Sequence, residues 1–469
     1  MKFYNTLTRT KQVFEPLIPW KVWIYSCGVT VYSHPHIWNM RKYFLDDLVK
    51  NVLRHVCWYD VTHVVNITDV WHLSDDGDVW QDKMEKWAHR EWITAREVAK
   101  KYENIFHDYC KQLRLDEFEY MPRATDHIKE QITMIHDLTI KWLTYTLEDG
   151  IYMDTSLIEY GELVWHQHIS GLQSWARIDD TGKHHVTDFA LWKFSPKSEK
   201  RHMEWIFDGE RAGELIDDRL NLLAHESATY GFPWWHIECS AMSIAYLWNH
   251  FDIHTWGVDH IPIHHTNEIA QSQAFLGDDQ SRVPYRIHHQ FLNINGWKIS
   301  KSIPESVIIF EDIIARWYEI VDLRYFFLQA HYRSFQDFTR EWLAAARTAR
   351  LRLKKLVAWK LSEYQDVTID VSISELSHIL CDDFDTPKLL AAIRSWWDIQ
   401  HILRLDRYII KLWLTDIDPV PQDITDLANQ RRDAKTNKNF EKADHIRQEL
   451  YAKWRMTLDT PDWFTLEKK

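Results

Sequence analysis

The run Lys298-Ile299-Ser300-Lys301-Ser302 puts two ammonium groups three residues apart on a Ser-flanked stretch. Far upstream stands Pro35-His36-Ile37-Trp38-Asn39. Either fragment alone is weak, because a Lys/Ser run is in most proteins a solvated loop. In this order and at this separation they suit a nucleoside triphosphate. His36 and Asn39 are polar groups at the start of a helix, where unpaired N–H groups and the helix dipole favour anions. Lys298 and Lys301 can neutralise charge that builds on phosphates as pyrophosphate leaves. ATP with Mg²⁺ is the expected ligand, held by His36, Asn39 and Lys301.

A second constellation has the chemistry of a metal site. Cys239 lies in Trp235-His236-Ile237-Glu238-Cys239-Ser240, and His264 in Ile263-His264-His265-Thr266-Asn267-Glu268. His264 and Glu268 are four apart, so a helix puts them on one face. Thiolate, imidazole and carboxylate together suit Zn²⁺. A fourth ligand is needed, and Cys27, after the first expected strand, can supply it. A lone Cys or His in an apolar stretch is more often core, and spacing alone leaves both readings open.

The elements that must position these groups read as α/β. Residues 21–31 form an apolar strand and the loop after it. Residues 41–55 carry Phe44, Leu45, Leu48, Val49 and Val52 on one helical face. Residues 61–67 form a second β-branched strand. Strand, helix and strand in this order predict a parallel sheet with a nucleotide at its carboxyl edge. Residues 92–144 read as mostly helical, and 150–200 as mixed, with a short strand at 187–193. Residues 210–225 are polar and expected to be an inserted surface segment. The core pattern returns over 235–275. Helices dominate from about 312, most clearly at 339–360 and 431–454.

Composition bounds the partners. The 469 residues carry a formal net charge of −13, so a polyanion must meet local basic patches rather than the whole surface. No apolar stretch reaches the roughly 18 residues of a spanning helix, and the first residues lack an apolar signal core. A cytoplasmic protein without a membrane partner is expected. Cys27, Cys57, Cys110, Cys239 and Cys381 are scattered and odd in number, which does not read as a disulfide framework.

One figure is abnormal. The chain holds 26 Trp and only 12 Gly, and ordinary chains carry about 7% Gly. Trp stands in turn contexts that ask for positive φ or close backbone approach, as in Asn295-Gly296-Trp297-Lys298 and Pro461-Asp462-Trp463.

Nearly end to end, the chain resembles the cysteinyl-tRNA synthetases. The resemblance runs through residues 3–9, Cys27-Gly28-Val29-Thr30-Val31-Tyr32, His36-Ile37-Trp38-Asn39 and Asn66-Ile67-Thr68-Asp69-Val70. It continues through Pro122-Arg123-Ala124-Thr125, Asp188-Phe189-Ala190-Leu191-Trp192-Lys193, residues 235–242, His250-Phe251-Asp252-Ile253-His254, residues 264–271 and residues 298–302. It implies a class I synthetase fold: a Rossmann-like catalytic domain with an insertion, then a C-terminal α-helical bundle. The implied boundaries are 1–120 and 226–311 for the two catalytic halves, 121–225 for the insertion, 312–420 for a stem-contact and helical domain, and 421–469 for an anticodon-binding tail. Within that tail, residues 429–438 resemble the anticodon-contacting region.

The resemblance also implies roles. Cys27, Cys239, His264 and Glu268 become ligands of one Zn²⁺. Lys301 becomes the phosphate-contacting lysine, and His36, Asn39 and Lys298 act with it. Gly28, Thr30, Thr68, Trp235 and Asp259 become substrate-binding residues, with Asp259 on the cysteine ammonium, and His236, His254 and His265 stand near. The implied reaction activates L-cysteine with ATP to cysteinyl-adenylate, then transfers it to tRNA(Cys), in an enzyme expected to be monomeric. Two alternatives stay open: a ligase joining cysteine to an amino sugar, and a tRNA-binding module without catalysis.

The sequence departs from the family in two small ways and one large one. Ile299 stands where Met is usual, and Asn39 where a second His is commoner. Trp38 stands where the family has Gly against the adenine. The family's Gly is likewise Trp at 20, 23, 58, 71, 80, 87, 92, 142, 165, 175, 234, 248, 256, 297, 317, 413, 454 and 463. Trp192, Trp205 and Trp235 stand where the family has Trp. Counting the nineteen as glycine gives 31 Gly in 469, near the usual ~7%. UGA codons meaning glycine, rendered as tryptophan, would produce this pattern.

Overall fold

Four parallel strands form the central sheet, and Cys27 lies on one of them. The computed structural model describes residues 1–70, 93–164, 182–195, 203–207, 230–277, 282–294, 297–298, 307–361, 375–395, 398–415, 422–437, 439–459 and 464–468. The chain divides into two units. The first is Met1–Arg347, Ser372–Trp396 and Tyr408–Ile410, and the second is Thr348–Val371, Trp397–Arg407 and Lys411–Lys469.

In the first unit, the hairpin β1 (Lys2–Asn5) and β2 (Thr10–Val13) precedes β3 (Lys21–Thr30), α1 (Ile37–His55) and β4 (Asp60–Thr68). Then come α2 (Ala95–Gln112) and α3 (Ile128–Ile140). The segment expected to be helical over 92–144 is therefore broken. Between these helices the chain runs extended and bridges β4 at Val64–Tyr120 and Ile67–Arg123. An antiparallel sheet follows, in the order β5 (Thr144–Leu147), β6 (Gly150–Met153), β7 (Phe189–Phe194), β9 (Tyr230–Pro233), β8 (Trp205–Ile206). The strand expected at 187–193 is β7. Residues 210–225 lie outside the described residues.

The chain returns through α4 (Trp235–Leu247), β10 (Ile253–Gly257), α5 (His264–Leu276) and β11 (Tyr285–His289). The central sheet has the order β11-β10-β3-β4, all parallel, with Ile24 opposite Ile253 and Lys21 opposite Asp60. From β3 the chain leaves to β4 on one side, and β10 lies on the other. That reversal opens a crevice at the carboxyl ends of β3 and β10, where ligands of such sheets bind. Val22, Ile24, Val61, Val64 and Val65 are buried, as expected for parallel strands covered on both faces.

α1 is buried along most of its length, charges included. Two of its cations are paired with carboxylates: Lys42 with Asp46 at 2.8 Å, and Lys50 with Glu119 at 2.9 Å. Arg324 lies 3.3 Å from Asp47 of this helix. Removing one partner of a buried pair leaves an uncompensated charge, so these pairs hold α1 to one register. The unit continues with β12 (Leu292–Ile294), β13 (Trp297–Lys298), α6 (Phe310–Ile314), α7 (Ile320–Leu328), β14 (Gln336–Phe338) and the start of α8 (Arg340–Leu361). α9 (Glu375–Leu380) and α10 (Thr386–Ser395) complete it.

The second unit contains α11 (Ile399–Leu405), α12 (Gln422–Thr436), α13 (Phe440–Lys453) and the hairpin β15 (Trp454–Asp459) and β16 (Phe464–Lys468). The helix expected over 431–454 is two helices. Asn439 starts the second, its side chain accepting from the Lys442 backbone N–H at 3.2 Å. That local bond competes with helix continuation, as Asn does at N-caps. Among the described residues, no helix is long and apolar enough to cross a membrane.

Candidate active site

Cys27 is on β3, Cys239 on the second turn of α4, and His264 and Glu268 on the first turns of α5. All four are buried. Their donor atoms lie within 4.8 Å of one another. His264 Nε2 is 2.6 Å from Glu268 Oε1, a pairing that the i,i+4 spacing allows. The set could hold a metal ion.

A second group shares two of these residues. Cys27, His254, His265 and Glu268 also bring their donors within 4.8 Å. Cys27 Sγ lies 3.3 Å from His265 Nε2 and 3.7 Å from Glu268 Oε1. His254 Nε2 lies 2.6 Å from Glu268 Oε2, and its Nδ1 lies 2.9 Å from the Tyr25 carbonyl. His265 Nδ1 meets His288 Nε2 at 2.8 Å, and His236 Nδ1 meets His264 Nδ1 at 2.9 Å. The histidines thus support the cluster from behind, fixing ring orientation as outer-shell partners do at metal centres.

Burial and charge set the protonation of the cluster. Burial pushes the Cys27 thiol well up. Burial also pushes on Cys239, but the Cys27 hydrogen bond and His264 bring that thiol below its usual value. Burial disfavours the imidazolium of His264, yet Glu268 and Cys239 outweigh it and raise the pKa to about 10. Burial opposes ionisation of Glu268, and His254 and His264 overcome it, holding the carboxyl well below the usual range. The Glu268 carboxylate thus sits beside a His264 ring that favours its cationic form, and Cys239 ionises more readily than an ordinary thiol. A metal ion bound here would need a neutral imidazole and would displace that ring proton.

Gly28 follows Cys27, and its N–H donates to Asn66 Oδ1 at 2.7 Å. A Cβ here would stand 1.3 Å from the Asn66 carbonyl oxygen. Only glycine lets β3 and β4 approach this closely. Asn66 Nδ2 donates to Thr68 Oγ1 at 3.0 Å, and Thr68 donates to Glu238 Oε2 at 3.0 Å. Thr30 ends β3 opposite Thr68. Trp235 opens α4 and stacks on His264 with centroids 4.3 Å apart and planes 11° apart. Gly28, Thr30 and Trp235 therefore stand on elements that carry the donor cluster, and Thr68 stands on β4 beside β3. Asp259 sits in the short turn after β10.

His36 caps α1. The Asn39 side chain accepts from the His36 backbone N–H at 3.2 Å, so its oxygen serves the helix start. The Ile37 N–H donates to the Ile308 carbonyl at 2.9 Å. That bond ties the His36 turn to the chain just past Lys301. Trp38 faces the sheet edge, 5.2 Å between centroids from His289 and 5.5 Å from Phe291. A Cβ on Gly257 would meet its ring at 3.0 Å. The indole lies across the carboxyl end of β10. Lys301 and the side chain of Lys298 lie outside the described residues.

Two site residues went unrecognised in the sequence. Asn66 links Gly28 to Cys239, whose Sγ lies 3.7 Å from Asn66 Oδ1. Its signal was a polar side chain inside the run Val64-Val65-Asn66-Ile67. Lys42 donates to the Cys27 carbonyl at 2.6 Å and lies 4.0 Å from the Trp256 ring centre. Its signal was a cation on the apolar face of an amphipathic helix, which reads as surface until its partner is seen.

The family model of tRNA synthetase class I (C) catalytic domains matches residues 13–211 and 224–348. The cysteine–tRNA ligase 1 of Burkholderia lata is 38% identical over 98% of this chain and 96% of its own. The cysteine–tRNA ligase of Treponema denticola is 34% identical over 96% of each. Among solved structures, Mycobacterium tuberculosis methionyl-tRNA synthetase in complex with methionyl-adenylate aligns with a TM-score of 0.51 at 14% identity. It covers 88% of this chain and 84% of that one, a likeness of fold alone. By family match and full-length similarity, the chain belongs to the cysteine–tRNA ligase family of class I aminoacyl-tRNA synthetases.

Proposed function

We propose that the chain activates L-cysteine with ATP and Mg²⁺ and transfers the cysteinyl group to tRNA(Cys). One Zn²⁺ would be held by Cys27, Cys239, His264 and Glu268. The reading rests on one observation: four donors from three separate elements meet in a buried space, in a chain of this family. Two sulfurs, one imidazole and one carboxylate make a donor set of zinc type. Bound zinc stabilises a thiolate over a thiol, which distinguishes cysteine from serine, whereas an apolar pocket separates isosteres by only about 10²-fold.

The chain's own residues do the rest by position and charge. Trp235 walls the pocket beside His264, and Thr68, Thr30 and Gly28 line its strand side. Asp259 offers a carboxylate to the substrate ammonium. The cysteine carboxylate attacks the α-phosphate, pyrophosphate leaves, and cysteinyl-adenylate forms. His36 and Asn39 at the α1 start, with Lys298 and Lys301, stabilise the phosphate charge. A hydroxyl of the terminal tRNA ribose then attacks the acyl carbon, an ester forms, the acyl–phosphate bond breaks and AMP leaves. Residues 1–120 and 226–311 serve as the catalytic halves around the 121–225 insertion. Residues 312–420 would meet the tRNA stem and 421–469 the anticodon, in a monomeric cytoplasmic enzyme.

The test is cysteine-dependent exchange of pyrophosphate into ATP, with serine as control, alongside zinc stoichiometry. Cys239→Ser should lower zinc content and cysteine exchange together. Full zinc content in that variant removes Cys239 from the ligand set. Exchange that is equal with serine and cysteine overturns the selection by zinc.

A further inference from the structure

Among the described residues, eleven that are not glycine have positive φ, and six of them are Trp: Trp20, Trp58, Trp142, Trp248, Trp317 and Trp413, at φ from 52° to 69°. Positive φ is uncommon outside glycine, and where it occurs Asn, Asp and His lead. All six belong to the nineteen positions where the resembled family has Gly. Trp192, Trp205 and Trp235, where that family has Trp, have no such backbone.

The local geometry asks for glycine by name. After α3, the Leu143 N–H donates to the Leu138 carbonyl at 3.1 Å and the Trp142 N–H to Thr139 at 2.9 Å. That pair of bonds is a Schellman cap, with Trp142 at the left-handed position that is usually Gly. The same cap ends α6: Tyr318 bonds Ile313 at 3.4 Å and Trp317 bonds Ile314 at 2.9 Å. Between them the Lys21 N–H and the Ile18 carbonyl, 3.1 Å apart, close a turn over Pro19-Trp20. Pro followed by a residue of positive φ is the type II pattern, whose third position is a glycine place. Trp248 caps α4 at φ 64°, ψ −170°, a region essentially confined to glycine.

Burial supplies little compensation. Trp142 and Trp317 are each 86% exposed, and the other four are at least half exposed. Trp192 and Trp205, by contrast, are buried. Six large aromatic side chains thus stand half to mostly exposed at left-handed turns, where burial returns little of the backbone strain.

We infer that the working protein carries glycine at positions 20, 58, 142, 248, 317 and 413, and by the same decoding at the other thirteen. Its cells then require a glycine-charged tRNA that reads UGA. UGA differs from the glycine codon GGA only in its first base, and decoding systems that read it as tryptophan yield the sequence seen. Position 38 follows, and a glycine there frees the carboxyl end of β10 that the indole now crosses.

Two measurements decide this without using cysteine, ATP or tRNA, so they stand apart from the ligase reading. The first is peptide mass analysis of the protein isolated from its own cells, with the coding DNA read alongside. Glycine mass and UGA at the six positions, with UGG at 192, 205 and 235, is the expected result. Tryptophan mass or UGG at the six overturns it. The second compares the chain as written with one carrying Trp→Gly at all six. The thermal midpoint should rise by on the order of 10 °C, while Trp192→Gly should lower it. An unchanged or lower midpoint for the six-fold variant overturns the inference.

Discussion

His254 Nε2 lies 2.6 Å from Glu268 Oε2, while the other oxygen of that carboxylate faces His264. His254 thereby fixes the rotation of a carboxylate that belongs to the donor cluster. Its other nitrogen is anchored on the Tyr25 carbonyl of β3, so the sheet sets the aim of Glu268. Loss of an outer-shell partner of this kind costs about 10–100-fold in metal affinity. His254→Ala should therefore weaken zinc retention against a chelator by that factor, and His254→Gln, which keeps a donor, should recover part of it. Equal retention in all three proteins would falsify this positioning role.

Gly28→Ala tests the strand approach. The added methyl would stand 1.3 Å from the Asn66 carbonyl oxygen, which is backbone and cannot swing away. The cost should exceed about 4 kcal/mol, in the range reserved for core disruption. Urea unfolding measures it, and a midpoint matching the parent would contradict the geometry.

A pH signature follows from Asp69. Burial raises its pKa to about 6, against the Thr125 hydrogen bonds that lower it. The folded pKa is above the unfolded one, near 3.9. The folded state thus holds the proton more tightly, and stability is lost as pH rises from about 4 to about 6. The two-unit difference corresponds to roughly 3 kcal/mol. Relative to Asp69→Asn, the parent should lose about that much across this window. Parallel stability curves for the two proteins would rule it out.

Cys381 should be the first thiol to react. A hydrogen bond from Cys57 stabilises its thiolate, burial opposes this, and the net pKa is about 7. Cys27, Cys110 and Cys239 are buried. Alkylation followed by peptide mapping should find Cys381 modified first, with a rate that rises through about pH 7. First labelling at Cys27 or Cys239 would show that the cluster is open to reagent.

Trp38→Gly should lower the KM for ATP in the exchange reaction at least about tenfold, a change of about 1.4 kcal/mol. The indole now rests between His289, Phe291 and Gly257 at the sheet edge. An unaltered KM would mean that the nucleotide does not use that space.

The start of the central sheet was legible because its signals are local. β-branched runs gave β3 and β4, and an apolar stripe gave the body of α1. Its start was legible in His36 and Asn39, but the bond that ties Ile37 to Ile308, far along the chain, was not. The five-stranded antiparallel sheet was largely missed. Its short strands pair across long separations, such as Trp192 with Pro233, and carry little periodicity of their own. The break between α12 and α13 hangs on one Asn whose side chain bonds its own backbone, where composition alone favoured a continuous helix.

For the site, the sequence by itself supplied the donor types, the i,i+4 pairing of His264 with Glu268, and the excess of Trp over Gly. Side-chain chemistry and helical period are properties of short stretches, so they survive without a fold. Only the tertiary structure brought Cys27 and Cys239 to that pair, set His254 behind Glu268, and buried Lys42 under Cys27. It also turned a count of tryptophans into particular left-handed residues. Convergence and backbone sign are decided by how strands stack and helices end, which no single segment contains.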